Sequence, residues 1–164
     1  MTTEIDLLYI TQKGVFVLES KNYSGWIFGD ERDNQWTATF PNREKRRFYN
    51  PVRQNQNHIR WLKQYAGTNL PCYSIIVFSE RCELKKITVT MPGVGVVKRD
   101  KLFSLITDNW DKFPDYFTDD QIEQIYNKLK KCTDVDKNTK QRHVRNIKGY
   151  YEYDDLLNRH TGRT

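Results

Sequence analysis

The 164 residues are 37% hydrophobic, 29% charged and 13% aromatic, which suits one folded domain with a modest core and a short appendage rather than a wholly disordered chain. No run approaches the ~20 consecutive apolar residues that span a bilayer, and the stretch from Met1 to Asp6 lacks the basic flank and apolar run of a signal peptide, so a cytoplasmic protein without membrane attachment is expected. Lys and Arg number 27 against 21 Asp and Glu, and this net charge of +6 favours polyanionic partners without choosing among DNA, RNA and an acidic protein.

The first predicted element is a β-hairpin, because Ile5 to Ile10 and Val15 to Lys21 are apolar, β-branched runs separated by Thr11-Gln12-Lys13-Gly14. The Lys13-Gly14 pair is expected at the turn. A second pair of short strands is predicted at Gly25 to Phe28 and Gln35 to Phe40, so that the N-terminal quarter forms an antiparallel meander. A basic loop, Arg43 to Arg47, leads to Asn50-Pro51, a cap followed by a proline at the first helical position. The helix that follows has Val52, Ile59, Trp61 and Leu62 among its apolar positions and should end near Ala66-Gly67.

Tyr73 to Phe78 is a continuous apolar run, as expected of a central strand buried on both faces. Shorter strands are predicted at Lys86 to Thr90 and Gly95 to Val97. Lys101 to Asp108 reads as a short helix with Leu102, Phe103, Leu105 and Ile106 facing inward. Thr118-Asp119-Asp120-Gln121 opens another helix, with Ile122, Ile125, Tyr126 and Leu129 at helical spacing. Beyond Cys132 the composition changes: residues 137 to 148 carry five basic residues and no acid, and Tyr150, Tyr151 and Tyr153 follow. Residues 133–164 are therefore read as a basic tail on a domain of residues 1–132. Such a tail is either a solvated segment or a nucleic-acid contact through Lys140, Arg142 and Arg145. Cys72, Cys82 and Cys132 are widely spaced with no C-x-x-C pair, which indicates neither a disulfide framework nor a thiolate zinc site.

The pattern that carries chemistry is Asp6 on the first strand and Glu19-Ser20-Lys21 at the end of the second. Side chains alternate along a strand, so Glu19 and Lys21 share a face. With Lys13-Gly14 central in the turn, Asp6 lies opposite Lys21 and Leu8 opposite Glu19, and the three charged groups converge. Two carboxylates and a lysine so placed suit metal-assisted phosphodiester hydrolysis: hard oxygens, with the Ser20 carbonyl as a further donor, hold Mg²⁺, and an ammonium orients water or stabilises the transition state. The alternative is an Asp–Lys salt bridge beside an exposed glutamate. Against it, the charged triplet ends an otherwise buried strand, where charges usually have a partner or a task.

Glu4-Ile5-Asp6, Gly14-Val15-Phe16-Val17-Leu18-Glu19-Ser20-Lys21-Asn22-Tyr23-Ser24-Gly25, Trp36 and Asn50-Pro51-x-x-Gln54-x-x-x-His58 together resemble the NERD (nuclease-related) domain. That family is assigned to the PD-(D/E)XK, restriction-endonuclease-like superfamily. The resemblance covers residues 3 to 80. It implies an α/β restriction-endonuclease-like core, a mixed central sheet flanked by helices, and Mg²⁺- or Mn²⁺-dependent nuclease chemistry in DNA processing. Carried over by position, Asp6 and Glu19 are metal ligands, Lys21 is the catalytic lysine and Gln54 is a helix-borne residue that shapes the site. Relatives usually have an N-terminal helix bearing a glutamate before the Ile-Asp segment. Here it is expected to be absent, which implies a start further upstream, a partner or second copy supplying the element, or a weakened site.

Gln54 and His58 share a helix face. His58 stays outside the catalytic set because one histidine on a helix is more often surface or packing. Trp26, Trp36 and Trp61 are read as core or sheet-covering aromatics. Arg43, Lys45, Arg46 and Arg47 are read as a solvated loop or as contacts to nucleic-acid phosphates. The sequence thus leads to a DNA-hydrolysing nuclease, with RNA as the other nucleic-acid partner and a catalytically inactive binding module of the same fold as the alternative.

Overall fold

The computed structural model describes residues 4–133, so the basic tail with Lys140, Arg142 and Arg145 lies outside the described residues. The described residues are mixed α/β, with eight strands in two four-stranded mixed sheets and three α-helices. In the first sheet, β1 (Leu7–Thr11) pairs antiparallel with β2 (Gly14–Lys21), which runs parallel to β6 (Cys72–Phe78), itself parallel to β8 (Val94–Lys98). The second sheet has the order β5 (Lys45–Tyr49), β4 (Gln35–Thr39), β3 (Gly25–Asp30) and β7 (Cys82–Thr88), with only the β3–β7 pair parallel.

The expected meander is therefore two hairpins in two different sheets. The two sheets are successive lengths of one parallel ribbon. Val15 pairs with Cys72 and Gly25 pairs with Cys82, the same spacing between partners on both sides of the break. Across the break, the Ser79 amide donates to the Lys21 carbonyl at 2.9 Å and the Ser79 hydroxyl to the Tyr23 carbonyl. Gly25 opens the second length with φ of +80°, and a Cβ there would lie 2.6 Å from the Thr39 carbonyl oxygen.

The hairpin register differs from expectation by two residues. Leu7 pairs with Leu18 and Thr11 with Gly14, so Gln12-Lys13 makes the turn. Gly14 is required elsewhere: a Cβ on it would lie 2.8 Å from the Pro71 carbonyl oxygen, the acceptor of the Val15 amide. Because side chains alternate with period two, a two-residue slip leaves every side chain on its expected face.

Three packed groups surround the first sheet. Val15 and Val17 meet Ile59 and Leu62 of α1 (Pro51–Ala66) and Leu129 of α3 (Asp119–Lys130) on one face. Phe16, Leu18, Ile75 and Val77 meet Leu102, Leu105 and Ile106 of α2 (Leu102–Thr107), with Trp110 and Phe113, on the other. The second sheet brings Ile27, Trp36, Ala38 and Phe48 against Ile76 and Phe78 of β6 and Val52 of α1.

Capping follows the sequence. The Asn50 side chain accepts from the amides of Val52 and Arg53 with Pro51 at the first helical position, and Thr118 and Gln121 form a reciprocal box at α3. Asn50 also donates to the carbonyls of Asp30, Glu31 and Asp33, tying the helix start to the β3–β4 turn.

Several apolar assignments are corrected. Phe103, Tyr126, Trp61 and Trp26 are exposed, whereas Trp36 is buried. Phe103 lies on the six-residue α2, whereas Trp26 is on the inner strand β3 and Trp61 and Tyr126 are on α1 and α3, each on the exposed face of its element. The Arg43–Arg47 run is also not all loop, since Lys45, Arg46 and Arg47 belong to edge strand β5, where charge is tolerated and discourages further strand pairing. No helix among the described residues is long and apolar enough to cross a membrane.

Candidate active site

Strand β2 is buried from Gly14 to Glu19, so its last inward-facing positions carry a carboxylate and an ammonium into the layer beneath α1. Glu19 is 3% exposed. Its Oε1 accepts from Lys21 Nζ at 2.7 Å, and its Oε2 lies 3.1 Å from His58 Nε2. Lys21 Nζ also donates to Gln54 Oε1 at 2.9 Å. Gln54 and His58, one helical turn apart on α1, thus bracket the Glu19–Lys21 pair.

The helix is fixed over the strand by Asn55. Its amide nitrogen donates to the Val17 carbonyl and to Ser74 Oγ, both at 2.8 Å and both buried. One helix face therefore reads the end of β2 with Gln54 and His58 and grips β2 and β6 with Asn55.

Burial pushes the Glu19 carboxyl up, but the His58 hydrogen bond, the positive charge of Lys21 and the hydrogen bond from Lys21 outweigh it. The group sits below the ordinary glutamate value of 4.5. Glu19 is thus an ionised buried carboxylate with a contact on each oxygen, not the exposed glutamate of the salt-bridge alternative.

Asp6 stands just before β1, and its Oδ2 accepts from the Ser20 amide at 2.7 Å. It does not face Lys21 directly; extending the observed ladder puts it opposite Glu19. Ser20 is exposed, with its side chain on the opposite face from Glu19 and Lys21. Arg43 lies in the turn between β4 and β5 with φ of 65°, and Arg46 pairs with Glu44 at 2.8 Å. Lys45, Arg46 and Arg47 are on the second sheet and take no part in the Glu19 cluster.

The oxygens of the expected metal set, the Glu19 and Asp6 carboxylates and the Ser20 carbonyl, are hard donors, and Asp6 is tied to the end of β2 through the Ser20 amide. Such donors fit Mg²⁺ or Mn²⁺, and Mg²⁺ commonly takes one or two carboxylates and keeps several waters. Among the described residues no three His, Cys, Asp or Glu side chains are grouped as a ready metal cage. His58 is the residue that sequence reasoning left out. The signal for it was the four-residue spacing from Gln54, which fixes a common face but does not say what that face meets.

Residues 1–79 match the model of the nuclease-related domain family, a span that contains Asp6, Glu19, Lys21, Gln54 and His58. An uncharacterized protein of Bacillus anthracis is 35% identical over 144 residues, which cover 88% of this chain and 66% of that protein. The chain thus spans just under two thirds of that relative's length. No solved structure gives a significant match.

Proposed function

We propose that this chain is a divalent-metal-dependent nuclease of the PD-(D/E)XK type that hydrolyses DNA phosphodiester bonds. The observation that carries the reading is the buried, ionised Glu19 carboxylate bonded to the lysine two residues further on, inside the span that matches the nuclease-related domain family.

Glu19 and Asp6 would hold the ion, with the Ser20 carbonyl as a further donor. A bound Mg²⁺ or Mn²⁺ supplies Lewis-acid polarisation of the phosphate and a more acidic water. Lys21 is the positive group closest to Glu19. Held by Gln54 and Glu19, its ammonium keeps one orientation from which to hydrogen-bond the attacking water or the charge that develops on phosphate oxygen. Its remaining N–H is the one available to the reacting groups, since an ammonium has three donors and two are engaged. His58 fixes the far oxygen of Glu19.

Cleavage of labelled linear, circular and single-stranded DNA with Mg²⁺, Mn²⁺ or EDTA, run beside Glu19→Ala, tests this reading. Metal-dependent cutting lost in the variant is expected. Salt-dependent binding without cutting under either ion, from a folded protein, would replace it with the binding module of the same fold.

A further inference from the structure

The outward face of the second sheet combines bases and aromatics in a way the Glu19 site does not use. Strand pairing places Lys45, Thr39, Trp26 and Glu83 in one row and Arg47, Thr37, Phe28 and Lys86 in the next, with Tyr49 opposite Gln35 beyond them. The intervening Trp36, Ala38, Ile27 and Phe48 point inward and are buried. Trp26 is 51% exposed. The irregularity between Ile27 and Phe28 adds Lys85 to this face, where its ammonium lies 5.0 Å from the Trp26 ring centroid and pairs with Glu83 at 2.6 Å.

The three helices make their principal contacts with strands of the first sheet, so no described helix is the cover for this face. Lys45, Arg47 and Lys86 have no ion-pair partner among the described residues. The cations outnumber the single carboxylate of Glu83 in these rows. A solvated sheet face needs neither an exposed indole nor unpaired cations placed on either side of it.

We propose that this face is a docking platform for an unpaired polynucleotide strand, whose phosphates meet Lys45, Arg47 and Lys86 and whose bases stack on Trp26, beside the half-buried Phe28. The chemistry matches on both counts: cations track a phosphate backbone, and an exposed indole on an open sheet accepts bases that a duplex keeps stacked internally. Lys85 lies along the indole on a flexible stem and can exchange Glu83 for a phosphate. The platform does not depend on the nuclease reading, because binding in EDTA requires no cleavage.

The test is fluorescence anisotropy of the full chain in EDTA with labelled 20-nucleotide oligothymidylate, oligouridylate and a 20-base-pair duplex, across a salt series. The wild type is expected to bind an unpaired strand more tightly than the duplex. Which of the two unpaired strands binds more tightly identifies DNA or RNA as the source. Trp26→Ala is expected to weaken binding about tenfold or more with the salt slope unchanged. Lys45→Ala with Arg47→Ala, both exposed edge-strand positions, is expected to reduce the slope by roughly 1.4. Wild-type affinity in Trp26→Ala, a wild-type slope in the double variant, or preference for the duplex overturns the platform. If Trp26→Ala fails to fold, Lys45→Glu with Arg47→Glu decides: retained affinity overturns the proposal and lost affinity supports it.

Discussion

His58 Nε2 lies 3.1 Å from Glu19 Oε2, the carboxylate oxygen that Lys21 does not hold. If Glu19 holds the proposed ion, a group bonded to its carboxylate matters to the metal without touching it. His58→Ala is expected to lower Mn²⁺ affinity or the cleavage rate roughly 10–100-fold. His58→Gln, which keeps an N–H donor on the same helix face, should recover most of the loss. Mn²⁺ titration by electron paramagnetic resonance, with turnover measured in parallel, checks this. An alanine variant equal to wild type in both would separate the histidine from the site.

Acid should weaken the fold through Glu19. Its folded carboxyl lies below the ordinary 4.5, so its contribution is complete above that value and disappears as the pH falls through the lower folded value. Urea midpoints measured downward from pH 6 should therefore fall in this acid range, and Glu19→Gln should flatten that part of the profile. Lys21→Met removes both the lysine charge and its hydrogen bond while burial persists, so carbon NMR of the Glu19 carboxyl should report an upward shift.

Asn55→Ala removes the buried donor to the Val17 carbonyl and Ser74 Oγ, leaving those acceptors without it. A loss of about 1–3 kcal/mol is expected, read as a lower urea midpoint with an unchanged slope. Asn50→Ala removes a helix cap together with three bonds to the β3–β4 turn, and about 2 kcal/mol or more should be lost. If Asn50→Ala costs no more than an ordinary exposed cap, the bonds to the turn carry no net stability.

Local chemistry explains what was legible beforehand. Asn50-Pro51 announces a helix start, Tyr73 to Phe78 can only be satisfied inside a sheet, and the alternation of β2 puts Glu19 and Lys21 on one face whatever the turn. The register was misread because Gly14 looks like a turn glycine, when it serves a close approach to Pro71, 57 residues away in sequence and beside it in space. The bend that separates β2 from β3 has no local signature beyond Gly25, since it depends on the parallel partner strand. The contact between His58 and Glu19 likewise depends on how α1 is docked by Asn55, a tertiary relationship that spacing along the helix does not encode. Trp26 and Trp61 show the reverse: hydrophobic residue type argues for the core, but both are exposed, and Trp26 keeps only the other expected place, on a face of the sheet.

The most direct test of the proposed site separates its chemistry from its metal. Lys21→Met should bind Mn²⁺ with near wild-type affinity yet fail to cut labelled DNA under conditions where the wild type cuts completely. A variant that cuts at the wild-type rate would contradict the assignment of Lys21, and with it the Glu19–Lys21 pair as the catalytic centre.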